Sequence, residues 1–184
     1  MEPEKVNLKQ VCVFCGEKPA SKNKEHILPQ WLLKLTGDPS REAYFGADMR
    51  HYAKEKEFKQ RKFAFSAFQF PACVQCNDEY AQLEGDTKPI MDKIFANEYL
   101  ATQEIITLLD WFDKVRTGLW LAMTRLDNVV ENVEPKFHIA KRTALKDRLL
   151  FIYDLKEDRK GLTVIGANMP IFYQMPSCFS IDLL

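Results

Sequence analysis

The 184-residue chain lacks net charge: 26 lysines and arginines stand against 26 aspartates and glutamates. Global charge therefore does not point to nucleic acid, and such a role must rest on local basic patches. It also lacks an apolar run of the roughly 18 residues that a membrane span requires, so no membrane partner is expected. The opening stretch MEPEKVNLKQ is too polar for a signal peptide, which makes the cytoplasm the expected location. Internal repeats and low-complexity tracts are missing. What is present is 46% hydrophobic and 28% charged sequence, enough to bury a core and exclude general disorder.

Cysteine is sparse and odd in number, at five. Four come as two CxxC pairs, Cys12 with Cys15 and Cys73 with Cys76, while Cys178 stands alone. In a reducing compartment such pairs read first as metal sites. A CxxC turn offers two thiolates from one tight bend. Two such turns complete the tetrahedral set that zinc prefers and staple the segment between them. Zinc closed by four thiolates keeps no open position, so the expected ion is structural. A redox CxxC is the competing reading, and two of them in one chain is a poor fit. Cys178 reads as a small buried apolar residue.

Along the chain, Pro29 opens a short helix over 29–35 with Trp31, Leu32 and Leu35 as its apolar stripe. Residues 50–62 hold six basic and two acidic side chains, a local net charge of +4. The aromatic run 63–70 suits a strand that Pro71 closes. A helix begins after Cys76, and Gly85-Asp86 is expected to break it before another starts at 87–89. A longer helix is expected over 97–126, with Ile105, Leu108, Phe112, Val115, Leu119, Ala122 and Leu126 on one face. Residues 149–154 and 161–166 read as a hairpin, and 178–184 as a final strand. The chain stops inside that last apolar run, as expected of a piece of a longer protein.

Between the cysteine pairs lie Glu25-His26 and Pro29, and Asn77 directly follows Cys76. In this order, Cys12-x-x-Cys15, Glu25-His26-x-x-Pro29 and Cys73-x-x-Cys76-Asn77 resemble the HNH endonuclease family, in its members with a treble-clef zinc knuckle around a ββα-metal motif. The resemblance covers about residues 11–84. It implies an α+β fold, with a nuclease module over 10–96 followed by a helical and β-strand extension over 97–184. It implies metal-dependent hydrolysis of phosphodiesters in DNA, less readily in RNA. His26 matches the base that activates water, and Glu25 and Asn77 match ligands of a magnesium or manganese ion. The family's middle asparagine has no counterpart, because no asparagine lies between His26 and Asn77. Asp48, His51 and Gln69 are the candidates to replace it, and Asp78, Glu79 and Glu84 could add carboxylates.

Lys22 and Lys24 flank this site, and Lys59, Arg61 and Lys62 could follow a phosphate backbone. A solvated charged loop explains the latter group equally well. Asn77 could instead cap the following helix. His51 and His138 read as structural or surface residues. Two other readings stay open. One is a zinc-stapled nucleic-acid-binding module without catalysis. The other is a protein-interaction module, with the C-terminal part as a dimer or partner face.

Overall fold

The computed structural model describes residues 10–12, 14–15, 17–20, 23–47, 49–67, 69–127, 149–153, 161–168 and 176–183. Lys22, Asp48 and His138 lie outside them, and the Cys178 side chain is likewise not described. The fold mixes helices with small sheets, the expected α+β class. The chain runs β1 (Asn23–His26), α1 (Gln30–Leu35), β2 (Glu42–Ala47), α2 (Met49–Glu55), β3 (Gln60–Ala64), a 3-10 turn (Phe65–Ala67), β4 (Gln69–Ala72), α3 (Val74–Phe95), α4 (Thr102–Asp127), β5 (Leu162–Asn168) and β6 (Pro176–Leu183). The strands pair antiparallel as β1 with β4, β2 with β3, and β5 with β6.

The short helix after Pro29 forms, but its buried pair is Leu32 and Leu33, and Leu35 is exposed. The aromatic run 63–70 is not one strand. It breaks at the 3-10 turn, so that β3 pairs with β2 and β4 with β1. The cause is Arg41. Its backbone carbonyl accepts from Phe65 N, its guanidinium lies 4.8 Å from the Phe65 ring centre, and Ser66 N bonds Pro39 O. Arg41 Nη1 also donates to Leu33 O and Asp38 O, and Nη2 to Thr36 Oγ1. One residue thus ties α1, the β2 entry and the turn together.

The expected break at Gly85-Asp86 does not occur: α3 runs through both Gly85 and Pro89. Gly85 and Pro89 are exposed, while Tyr80, Thr87, Ile90 and Met91 form a buried stripe at helical spacing. Burial of that stripe outweighs the propensity cost, which is about 1 kcal/mol for glycine and about 3 for proline. The following helix starts at Thr102, not 97, because Glu104 accepts the Ala101 N–H and fixes the start. Its buried face holds Leu108, Trp111, Lys114, Val115 and Leu119, whereas Ile105 is exposed. The hairpin expected from 149–154 and 161–166 is also corrected. Residues 149–153 form no strand, and β5 pairs with β6 instead.

One cluster of buried side chains joins these parts. Phe14, Ile27, Leu32, Leu33 and Tyr80 meet Leu108, Trp111, Val115 and Leu119. The α4 backbone comes close because position 118 is glycine. A Cβ there would stand 3.0 Å from two Ile27 side-chain carbons and 3.5 Å from Phe14. Gly85 has nothing within 4 Å of such an atom. The two glycines should therefore respond oppositely. Gly118→Val should cost about 1–3 kcal/mol through overpacking, and Gly85→Ala should gain about 0.5–1 kcal/mol. Urea unfolding of both variants checks this; a stabilised Gly118→Val would contradict the packing.

Candidate metal centre and histidine site

The first CxxC lies in a turn before β1, where Cys12 N bonds Glu17 O. The second begins right after β4, with Cys73 as the N-cap of α3. Pairing of Asn23 with Ala72 brings the two together. The sulfurs of Cys12, Cys15, Cys73 and Cys76 all lie within 4.8 Å of one another. All four are free thiols, and the Cys15 and Cys73 sulfurs are 3.7 Å apart. A tetrahedron with Zn–S bonds of about 2.3 Å has sulfur edges of about 3.8 Å, so the donor set fits zinc.

The electrostatics agree with that fit. Burial raises the Cys15 thiol to about 11, and burial together with the neighbouring sulfurs raises Cys76 well above its ordinary 9.0. Burial also opposes the Cys12 thiolate. Backbone N–H groups of Cys15, Cys73 and Phe14 outweigh that effect and hold its pKa below 9.0. Cys76 N points at the Cys73 sulfur, 3.4 Å away. Such donors suit a bound thiolate, but four adjacent thiolates need a cation. Among the described residues, these cysteines are the one group of three or more His, Cys, Asp or Glu side chains whose ligand atoms converge.

The two residues of the Glu25-His26 pair point to opposite faces of β1, by strand alternation. Glu25 is 7% exposed and faces inward. Its Oε1 lies 2.7 Å from the ammonium of Lys114, which is fully buried. The same Nζ bonds Glu84 Oε1 at 2.5 Å and points to the backbone carbonyls of His26 and Ile27 at 3.3 and 3.2 Å. Burial pushes the Glu84 carboxyl above its usual range, against the pull of Lys114. Sequence reasoning noticed Glu84 but not Lys114. The available signal was its place between Trp111 and Val115 on an apolar helix face.

His26 is half-buried, and its cross-strand partner is Gln69. Gln69 Nε2 lies 2.7 Å from His26 Nε2 and donates to Ser66 O at 2.8 Å. Of the candidates that the described residues include, Gln69 is the one with a hydrogen bond to the imidazole shown here. Burial lowers the His26 pKa below 6.5; Glu25 and the Ser66 carbonyl oppose this, and Lys114 adds to it. The ring is thus neutral at pH 7.

Asn77 is half-buried one turn into α3, its N–H bonded to Cys73 O. It shares a helix face with Glu84, about 10 Å further along the axis. Asp78 and Glu79 are exposed. Glu25, expected as a ligand of a divalent ion, is engaged here by the Lys114 ammonium. Lys24, Lys59 and Lys62 are exposed and Arg61 is half-exposed. His51 lies on α2, a surface element. Among the described residues no helix is long and apolar enough to cross a membrane. No protein-family model matches this chain, and no curated protein or solved structure matches it significantly.

Two outcomes follow from this geometry. The purified chain should carry one zinc per molecule by metal analysis. Cys76→Ser or a strong chelator should remove it and unfold the region around β1 and β4, lowering amide protection there. A fully folded, metal-free chain would refute the zinc assignment. Lys114→Met should leave two buried carboxylates unpaired and cost about 3–5 kcal/mol. Adding Glu25→Gln and Glu84→Gln should restore most of that loss, as read by urea unfolding.

Proposed function

We propose that the chain is an HNH-type phosphodiesterase acting on DNA, with RNA as the second substrate class. In this reading β1, β4 and the start of α3 form a treble-clef ββα-metal module, held by a structural zinc within residues 10–96. The helix α4 closes its core, and residues 97–184 would offer a face for a second copy or a protein partner. The observation that carries the proposal is the His26–Gln69 pair: a neutral imidazole, next to the zinc-stapled ladder, held by an amide from the adjacent strand.

The chemistry starts at that pair. With the Gln69 amide donating to both Ser66 O and His26 Nε2, the imidazole proton sits on Nδ1. Released from the amide, Nε2 holds the free lone pair, while Ser66 O keeps the Gln69 amide in its donor orientation. In that form His26 takes a proton from water as the water oxygen bonds phosphorus and the bond to the leaving oxygen breaks. Lys24, Lys59, Arg61 and Lys62 supply phosphate contacts, with Lys22 as a further candidate. A magnesium or manganese ion, when bound, would stabilise charge on the leaving oxygen. Asn77 is its candidate ligand, and Glu25 joins only after parting from Lys114. That engagement of Glu25 is the specific observation favouring the second reading, a zinc-stapled nucleic-acid-binding or protein-interaction module without catalysis.

The test is cleavage of supercoiled plasmid in magnesium or manganese, beside a chelator control. Wild type should nick the plasmid, and His26→Ala should lose about a hundredfold or more. Gln69→Leu should lower kcat with KM unchanged, whereas Gln69→Glu, whose carboxylate favours the imidazolium, should move the acid limb of the pH profile to higher pH. The lowered His26 pKa keeps the base neutral into mild acid, so the acid limb of kcat/KM should lie below pH 6.5. Cleavage that survives His26→Ala would sink the proposed base. Binding without cleavage would favour the second reading.

A further inference from the structure

The β2–β3 hairpin carries a surface that neither the cysteine cluster nor His26 uses. An open depression there is lined by Tyr44, Phe58, Lys59, Arg61 and Lys62, among others. Tyr44 is 56% exposed and Phe58 is 76% exposed. Neither ring is needed for the buried core. Phe58 is braced from one side by Tyr52, with ring centres 4.5 Å apart and planes 25° from parallel. The Lys62 ammonium stands 4.9 Å from the Tyr44 ring centre, with Glu42 3.7 Å away as its partial counter-charge.

We infer that this hairpin face binds single-stranded nucleic acid, with bases stacked on Tyr44 and Phe58 and phosphates against the exposed ammonium groups of Lys59 and Lys62. This rests on the proposed nucleic-acid substrate and narrows it. Two considerations select the occupant. Residues 50–62 carry a net charge of +4 in a chain whose total is zero, so positive charge is concentrated where the rings are exposed. Phosphates complement it. Exposed rings on a sheet can stack on splayed bases, but a duplex hides its base faces. An acidic peptide could pair with the cations, but it would not offer a flat ring to each of the two exposed aromatics as successive bases do.

The hairpin is also firmly joined to the histidine. β3 passes through the 3-10 turn directly into β4, whose Gln69 meets His26. Arg41 pins that turn to α1. A strand lying on the hairpin is therefore held by a rigid neighbour of the imidazole.

Fluorescence anisotropy tests this on the full zinc-loaded chain, with labelled oligothymidine and a duplex of equal length. The single strand should bind more tightly. Tyr44→Ala with Phe58→Ala should weaken single-strand binding roughly tenfold or more, leaving duplex binding and the salt slope unchanged. Lys59→Gln and Lys62→Gln should each reduce the salt slope by about one. Both aromatic side chains are exposed, and matching circular dichroism and urea midpoints would show that the variants fold. Equal or tighter duplex binding, or wild-type affinity in the aromatic double variant, would overturn the inference. His26→Ala separates it from the nuclease reading. Aromatic-dependent binding without His26-dependent cleavage supports this surface and sinks the enzyme. His26-dependent cleavage with no preference for single strands does the reverse.

Discussion

Four sulfurs held within 4.8 Å of one another are the constraint on which the site depends. Burial and mutual repulsion raise two of these thiols, so the cluster favours a cation over four separate charges. The consequence is topological. Cys73 follows β4 and the first CxxC precedes β1, so joining them closes one end of a two-stranded ladder only four pairs long. An isolated two-stranded ladder is marginal in water. Fastened at one end, it presents His26 and Gln69 at the other as a cross-strand pair.

That far end has its own fastening. Lys114 reaches from α4 to two glutamates and to the carbonyls of His26 and Ile27. A buried ammonium is costly alone, and so are buried carboxylates. Together they form a network whose geometry fixes the backbone that carries His26. The buried ion group adds less to net stability than to position, since an apolar replacement of all three could be neutral or stabilising. Its position matters because it commits Glu25 to the interior face. The imidazole lies on the other face, with Gln69 as its neighbour.

The legible parts of the sequence were those with local causes. The CxxC spacing announces two thiolates per turn, and the α4 periodicity announces a buried face. The arrangements that stayed hidden depend on long-range partners. Nothing within 63–70 shows that Arg41 will split the run into two strands. Gly85 and Pro89 look like breakers because their cost is local, whereas the compensating burial of Tyr80, Ile90 and Met91 is tertiary. A lysine between Trp111 and Val115 reads as an edge of the apolar face until Glu25 and Glu84 arrive from elsewhere. Gln69 stood among several candidates, and only the β1–β4 register distinguishes it.

The balanced charge of the chain takes on a meaning in three dimensions. The acidic groups near the histidine strand, Glu25 and Glu84, share the single buried ammonium of Lys114. The positive groups of the hairpin remain at the surface, where Lys59 and Lys62 are exposed. Zero net charge thus divides into a basic segment over 50–62, at +4, and an acidic excess of the same size over the rest of the chain. Steering of an anionic chain depends on such a local field, which is screened beyond about 8–10 Å at physiological salt. Attraction by the hairpin would therefore act at short range, where the exposed rings of Tyr44 and Phe58 are also within reach. The two kinds of contact reinforce each other only if the ligand offers phosphates and open bases together.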